Sequence, residues 1–358
     1  MIKNSEAIHG GDIYSEGLFK GIRLTDFSSN INPLGVPYSF KKNINEAVLA
    51  LDKYPDIKYR DLKRNLISYL NLSFLEEHNV VLGNGAAEII DLVISCFSSI
   101  LIVVPCFVEY ELNAQKWGCN IEYSYLNENM ELDYEDIRAK LTYCDAVIMG
   151  NPNNPNGGVI QKHKFKDILQ YAQSSNKTII LDEAFIEFTG KEDFSFNEDI
   201  KTYKSLFIIK ALTKFFAVPG IRFGYGISSN KELLTKIRQK QNPWNINCFA
   251  EVAVKYVLKD TEYINKSIEW IRKEIRYLPE ELSKLNYVDR VFNTNCNYVL
   301  CKLKDISSSQ LYKHCLEKGI IIRQAYNFRG LDENYVRFAI KDRCNNDLLL
   351  SILKKVEV

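Results

Sequence analysis

The sequence predicts an α/β protein: a large domain on a mostly parallel, seven-stranded sheet flanked by helices, followed by a smaller α+β domain. Three observations carry the prediction. Seven short apolar runs, each of strand length, recur at 80–82, 100–104, 121–126, 146–150, 178–182, 206–209 and 223–227. Helix-like stretches such as 134–141 and 164–172 lie between them. After Pro243 this rhythm stops. Strands that are apolar throughout need cover on both faces, and helices between successive strands supply it.

Taken in order, residues 1–40 are loop-rich, with Asn32-Pro33-Leu34-Gly35 and Pro37 as breakers, and are expected to pack on the small domain and the active site. Residues 41–245 are assigned to the large domain and 246–358 to the small one. Within the latter, 247–285 reads as one long helix. Strand-like pieces follow at 298–301, 320–323 and 335–340, and a helix at 346–356 closes the chain.

Composition narrows the function. A chain of 358 residues exceeds one simple core. A net charge of +1 gives no global field toward nucleic acid or an acidic membrane, so neither is expected as a partner. The nine cysteines include no CxxC pair, which reads as reduced thiols in a cytoplasmic protein. The four histidines have no ligand-like spacing, so no metal is expected. The N-terminus lacks an apolar signal region, and no apolar run is long enough for a bilayer.

In open α/β sheets ligands gather at the carboxyl ends of the strands, so the residues after each strand are the candidates. Gly83-Asn84-Gly85-Ala86-Ala87 is a glycine turn into a helix, whose free N–H groups favour a phosphate. Taken alone it is also an ordinary turn. Phe107 follows the next strand and is placed to stack on a flat ring. Asn151-Pro152-Asn153-Asn154-Pro155-Asn156 holds more Asn and Pro than a turn needs, which suggests an amide aimed at a ligand. Asp182 ends an apolar strand, and a buried carboxylate there needs a positive partner. Lys214 lies among apolar neighbours, where burial lowers an amine's pKa toward the range imine chemistry requires.

NPxNPxG, then DEAF, then KxxxxxGxR, in this order and spacing, resembles the fold-type-I pyridoxal 5'-phosphate (PLP) enzymes of the aspartate aminotransferase superfamily. The resemblance spans nearly the whole chain. It implies that Lys214 carries PLP as a Schiff base and then moves protons. It implies that Asp182 pairs with the ring nitrogen, Asn154 with the ring oxygen, and Phe107 stacks on the ring. The cofactor phosphate falls to Gly85, Ala86, Ala87 and Arg222, with Tyr54 reaching the site of a neighbouring subunit in a homodimer. Arg337 is similar to the arginine that holds the substrate α-carboxylate. Two positions depart from the pattern: Ala211 replaces a common Ser or Thr, and Phe185 a common Tyr.

Two branches of the superfamily fit best. Histidinol-phosphate aminotransferases are one; L-threonine-O-3-phosphate decarboxylases of cobalamin biosynthesis are the other. His9-Gly10-Gly11 with Asp26-Phe27-Ser28-Ser29-Asn30-Ile31-Asn32-Pro33-Leu34-Gly35, the Phe107–Tyr110 segment, and Arg323 with Asn327-Phe328 are similar to the decarboxylases. That resemblance implies a second anion site for the substrate phosphate, formed by Arg323, His9 and Asn32, with Asn154 also touching substrate. Which α-carbon bond is set perpendicular to the cofactor ring decides between CO2 loss and amino transfer, and no motif reports that angle.

Overall fold

The apolar runs become strands because their side chains fill both faces of one sheet. The structure, a computed structural model, describes residues 9–357; residues 1–8 of the expected N-terminal segment lie outside them. In chain order the strands are β1 (Thr25–Asp26), β2 (Val80–Gly83), β3 (Ser99–Val104), β4 (Asn120–Tyr125), β5 (Ala146–Gly150), β6 (Thr178–Asp182), β7 (Leu206–Ala211) and β8 (Gly224–Ile227). They continue with β9 (Val288–Val291), β10 (Tyr298–Leu303), β11 (Ile320–Ile321), β12 (Arg323–Gln324) and β13 (Tyr335–Ala339).

The seven-stranded sheet has the order β2-β8-β7-β6-β5-β3-β4. It is parallel except that β8 runs antiparallel to both its neighbours. β2, β5, β6, β7 and β8 are buried along their whole length, whereas the edge strand β4 alternates with solvent. Helices Ala86–Ile94, Glu109–Lys116, Tyr134–Lys140 and Lys162–Ser174 connect the strands, as the sequence leads one to expect. Among the described residues no helix is long and apolar enough to cross a membrane.

A second sheet, β12-β13-β10-β9, is antiparallel. The N-terminal segment is stitched to this region: β1 pairs in parallel with β11, and the Ala339 N–H donates to the Phe27 carbonyl. The single run read at 320–323 is two strands. Ile320–Ile321 pairs with β1 and Arg323–Gln324 with β13, so the chain changes sheets at Ile322.

The long helix expected over 247–285 is also divided. Helices Cys248–Val257 and Thr261–Leu282 meet at Asp260, whose carboxylate accepts from the Tyr263 N–H. An aspartate in that position starts a helix better than it continues one. Asn247 caps the first of the two in the same way. That first helix packs on the segment before the large sheet. Lys255 pairs with Glu46 at 2.7 Å, and the Cys248 thiol meets the Ala47 carbonyl.

Candidate active site

The carboxyl ends of the parallel strands, the N-terminal segment and β12–β13 enclose a cavity of about 290 Å³. Ten of the residues singled out above line it: His9, Ala86, Ala87, Phe107, Asn154, Asp182, Lys214, Arg222, Arg323 and Arg337. Gly85 lies just behind, with φ +84°, and a Cβ there would come within 2.5 Å of Arg222 Nη2. The backbone therefore approaches the guanidinium as closely as only glycine allows. Helix Ala86–Ile94 opens at this turn, so its first N–H groups and Arg222 flank one end of the cavity.

Lys214 follows β7. Burial in the cavity wall, followed by the charge of Arg337, pulls its amine down to about 8. Asp182, at the end of β6, accepts from the Tyr110 hydroxyl at 2.7 Å and from the Ala184 N–H at 3.0 Å. Burial pushes the Asp182 carboxyl up, against the pull of those two neutral donors. The next residue faces the other way. Glu183 is fully buried and pairs with Lys210 at 3.0 Å. Adjacent residues on an extended chain point to opposite faces, which separates a carboxylate for the cavity from one for the core.

The asparagine-rich loop divides its work. Asn151 donates to Glu183 and to the Phe194 carbonyl. Asn153 donates to the Pro105 carbonyl and to Asn156, which in turn donates to the Met130 carbonyl. Those three sew the loop in place, and Asn154 alone of the four lines the cavity. Its Oδ1 accepts from Arg337 Nη1.

Arg323 and Arg337 face each other in the β12–β13 register. Both are buried, which lowers Arg323 to about 10; burial and then the charge of Arg323 lower Arg337 to about 9. Arg337 Nη2 donates to the Ser28 carbonyl at 2.6 Å, and its Nε is buried without a hydrogen-bond partner among the described residues. Arg323 donates to the Gln324 carbonyl and to Asn327 Oδ1, both at 2.8 Å. His9 Nε2 lies 2.9 Å from Glu109 Oε1, and the His9 and Phe107 ring centroids are 6.0 Å apart.

Asn32 corrects the sequence reading. Its backbone N–H donates to the Lys214 carbonyl, and its side chain donates to the Phe215 carbonyl and to Ser267. It does not line the cavity; it is a strut behind Lys214. Tyr54 is also outside the cavity, 79% exposed, with its ring 4.8 Å from that of Trp244. Sequence reasoning missed the bond from Tyr110 to Asp182. Its only signal was the three-residue spacing from Phe107, which sets both at one end of helix Glu109–Lys116. Thr213 was missed as well: it lines the cavity beside Ala211, the position where a hydroxyl was noted as lacking.

These residues fit PLP. A buried carboxylate held by neutral donors suits a protonated ring nitrogen, a lowered amine suits a Schiff base, and a glycine turn with an arginine suits a phosphate. The comparisons with known proteins agree. The family model for aminotransferase class I and II matches residues 22–353. The chain belongs to this family, and its cofactor is PLP. It is 39% identical, over 97% of its length and 93% of the relative's, to a putative threonine-phosphate decarboxylase of Caldanaerobacter subterraneus. It is 32% identical, over 97% of its length and 96% of the relative's, to threonine-phosphate decarboxylase of Salmonella typhimurium. A solved structure described as histidinol-phosphate aminotransferase from Clostridium acetobutylicum is 55% identical with a TM-score of 0.89, over 92% of this chain and 97% of that one.

Proposed function

We propose that the protein decarboxylates L-threonine-O-3-phosphate to CO2 and (R)-1-amino-2-propanol O-phosphate. The observation that carries the reading is the pair of buried guanidinium groups, Arg323 and Arg337, opposite each other in the wall that also holds Lys214. A substrate with a carboxylate at one end and a phosphate at the other matches two such cations. The two relatives named as threonine-phosphate decarboxylases support the same choice.

Bound PLP supplies an electron sink for the bond broken at the substrate α-carbon. Asp182 would hold the proton on the ring nitrogen, and Tyr110 keeps the Asp182 carboxylate oriented through its 2.7 Å bond. Ala86, Ala87 and Arg222 would hold the cofactor phosphate, and Phe107 would pack on the ring. Asn154 uses its Oδ1 on Arg337, leaving its amide N–H as the donor to the ring oxygen. Arg337 binds the carboxylate with the fork that its orphaned Nε completes. Arg323, joined by His9, binds the substrate phosphate. Lys214 Nζ would be the group that returns the proton to the α-carbon after CO2 loss; burial, then the charge of Arg337, lowers its amine to about 8, close enough to neutral pH to give and take protons.

The site is shared in a homodimer, with Tyr54 reaching the partner's cofactor phosphate. The support is an exposed apolar stretch: Tyr38, Leu49, Leu51, Tyr54 and Ile57, with Trp244 beside Tyr54. Such a run of large apolar groups is what an interface covers.

The 55% identity to a structure described as histidinol-phosphate aminotransferase favours a second reading, amino transfer. One assay separates the two. PLP-loaded protein given L-threonine-O-3-phosphate without a keto acid releases CO2 if the proposal holds. Absence of CO2, with conversion of the cofactor to its amine form by histidinol phosphate, would establish the transaminase instead.

A further inference from the structure

We propose that Glu111 and Arg329 form a latch that positions Arg323, and through it sets the preference for a phosphorylated substrate; the inference rests on Arg323 being the cation for that phosphate. Arg329 is in the loop 325–331, which follows β12. This loop also supplies Asn327, which accepts from Arg323 Nη2, and Phe328, over whose ring the Arg323 guanidinium sits at 5.1 Å. The height of the loop therefore fixes where Arg323 points.

That height is set from the large sheet. Arg329 Nε donates to Glu111 Oε2 at 2.9 Å and its Nη2 to Glu111 Oε1 at 2.5 Å, a two-pronged pair, while its guanidinium lies 4.3 Å from the Tyr123 ring centre. Glu111 is buried, and although burial alone would raise its carboxyl, Arg329 holds it below the usual range. Packing holds the two ends of the loop: Ala325 and Phe328 are buried in an apolar cluster with Phe292 and Leu300, and Gly330 lies against Tyr125. Beside Arg329 it leaves a cavity of about 350 Å³, with Val104, Cys106, Tyr125 and Leu331 in its walls, so the ion pair is the polar tie across that gap.

The position of Glu111 gives the pair its reach. In one turn of helix Glu109–Lys116, Glu109 pairs with His9 of the N-terminal segment, Tyr110 bonds Asp182, and Glu111 clamps the loop. A single rigid turn thus sets the distance between the cofactor carboxylate and the two side chains assigned to the substrate phosphate. Glu111 and Arg329 do not line the cavity. They are positioning residues.

The test is a double-mutant cycle on the PLP-loaded protein with Arg329→Met, Glu111→Gln and Arg323→Ala. Arg329 is the safer site, because two fifths of its side chain is exposed. Apparent Kd is read from the cofactor spectrum on titration with L-threonine-O-3-phosphate and with L-threonine, and thermal unfolding reports the fold. Arg329→Met is expected to weaken the phosphorylated ligand on the order of tenfold, since displacements of about 1 Å carry penalties of that size or more. L-threonine binding and PLP retention should not change, and Arg329→Lys should recover part of the loss. In the Arg323→Ala background Arg329→Met should have no further effect. An unchanged Kd in Arg329→Met while Arg323→Ala loses affinity overturns the latch and leaves the proposed function standing, as do effects that simply multiply. An unchanged Kd in Arg323→Ala itself removes the phosphate cation, and both readings fall.

Discussion

Lys214 owes its chemistry to its surroundings. Burial and the charge of Arg337 lower the amine from its ordinary 10.5 to about 8, so the neutral, nucleophilic form gains population as pH rises through that value. The rate at which cofactor-free protein recaptures PLP should therefore climb with a midpoint near 8, read from the growth of the Schiff-base absorbance. A midpoint above 10 would mean the amine is solvated. Tyr110 offers a second test. Its hydroxyl gives Asp182 a bond to a charged acceptor, worth about 1.5–3 kcal/mol. Tyr110→Phe should retain PLP and lower kcat/KM by roughly ten- to a hundredfold. The sequence made Lys214, Asp182 and Asn154 legible because each sits at a strand end in ordered company. It gave no means of separating Asn154 from Asn151, Asn153 and Asn156. Hydrogen-bond partners distant in the chain do that.

At the level of the element, the turn between β2 and its helix carries the sharpest expectation. Gly85 has a left-handed φ and faces Arg222. Gly85→Ala adds backbone strain of about 1–2 kcal/mol and pushes the guanidinium away from the phosphate end of the cavity. The apparent Kd for PLP, followed by absorbance or fluorescence, should rise at least about tenfold while far-UV circular dichroism is unchanged. Most strands were legible because their short apolar runs, separated by helix-like stretches, need cover on both faces; the run of β4 contains Glu122 and Ser124, and that strand alternates with solvent at the sheet edge. The division at Asp260 was not: the apolar period continues across it, and the cap that ends one helix and starts the next is a local hydrogen bond. The sheet change at Ile322 was hidden for a related reason. A four-residue apolar run looks the same whether its partners are in one sheet or two.

Across the whole molecule, the exposed stretch around Tyr54 predicts association. Light scattering should give twice the mass of the 41.4 kDa chain, and Tyr54→Ala should loosen PLP although Tyr54 does not line its own subunit's cavity. A monomer with unimpaired cofactor retention would sink that reading. The same scale explains Asn32. Its neighbours in the sequence suggested a ligand contact, yet the fold brings it behind Lys214, where Phe215 and Ser267 take its side-chain donor.

By itself the sequence determined the fold class, the cofactor and the identity of the amine, carboxylate and guanidinium groups at the site. Those follow from hydrophobic period and from motifs in which a few contiguous residues suffice. Tertiary structure decided which candidates meet. It set Arg323 opposite Arg337 across β12–β13, bonded Tyr110 to Asp182, and clamped the loop that holds Asn327 and Phe328 to Glu111. Each of these joins residues that the sequence separates by up to some two hundred positions. Pairings of that kind arise from strand register and helix docking, which no local pattern encodes.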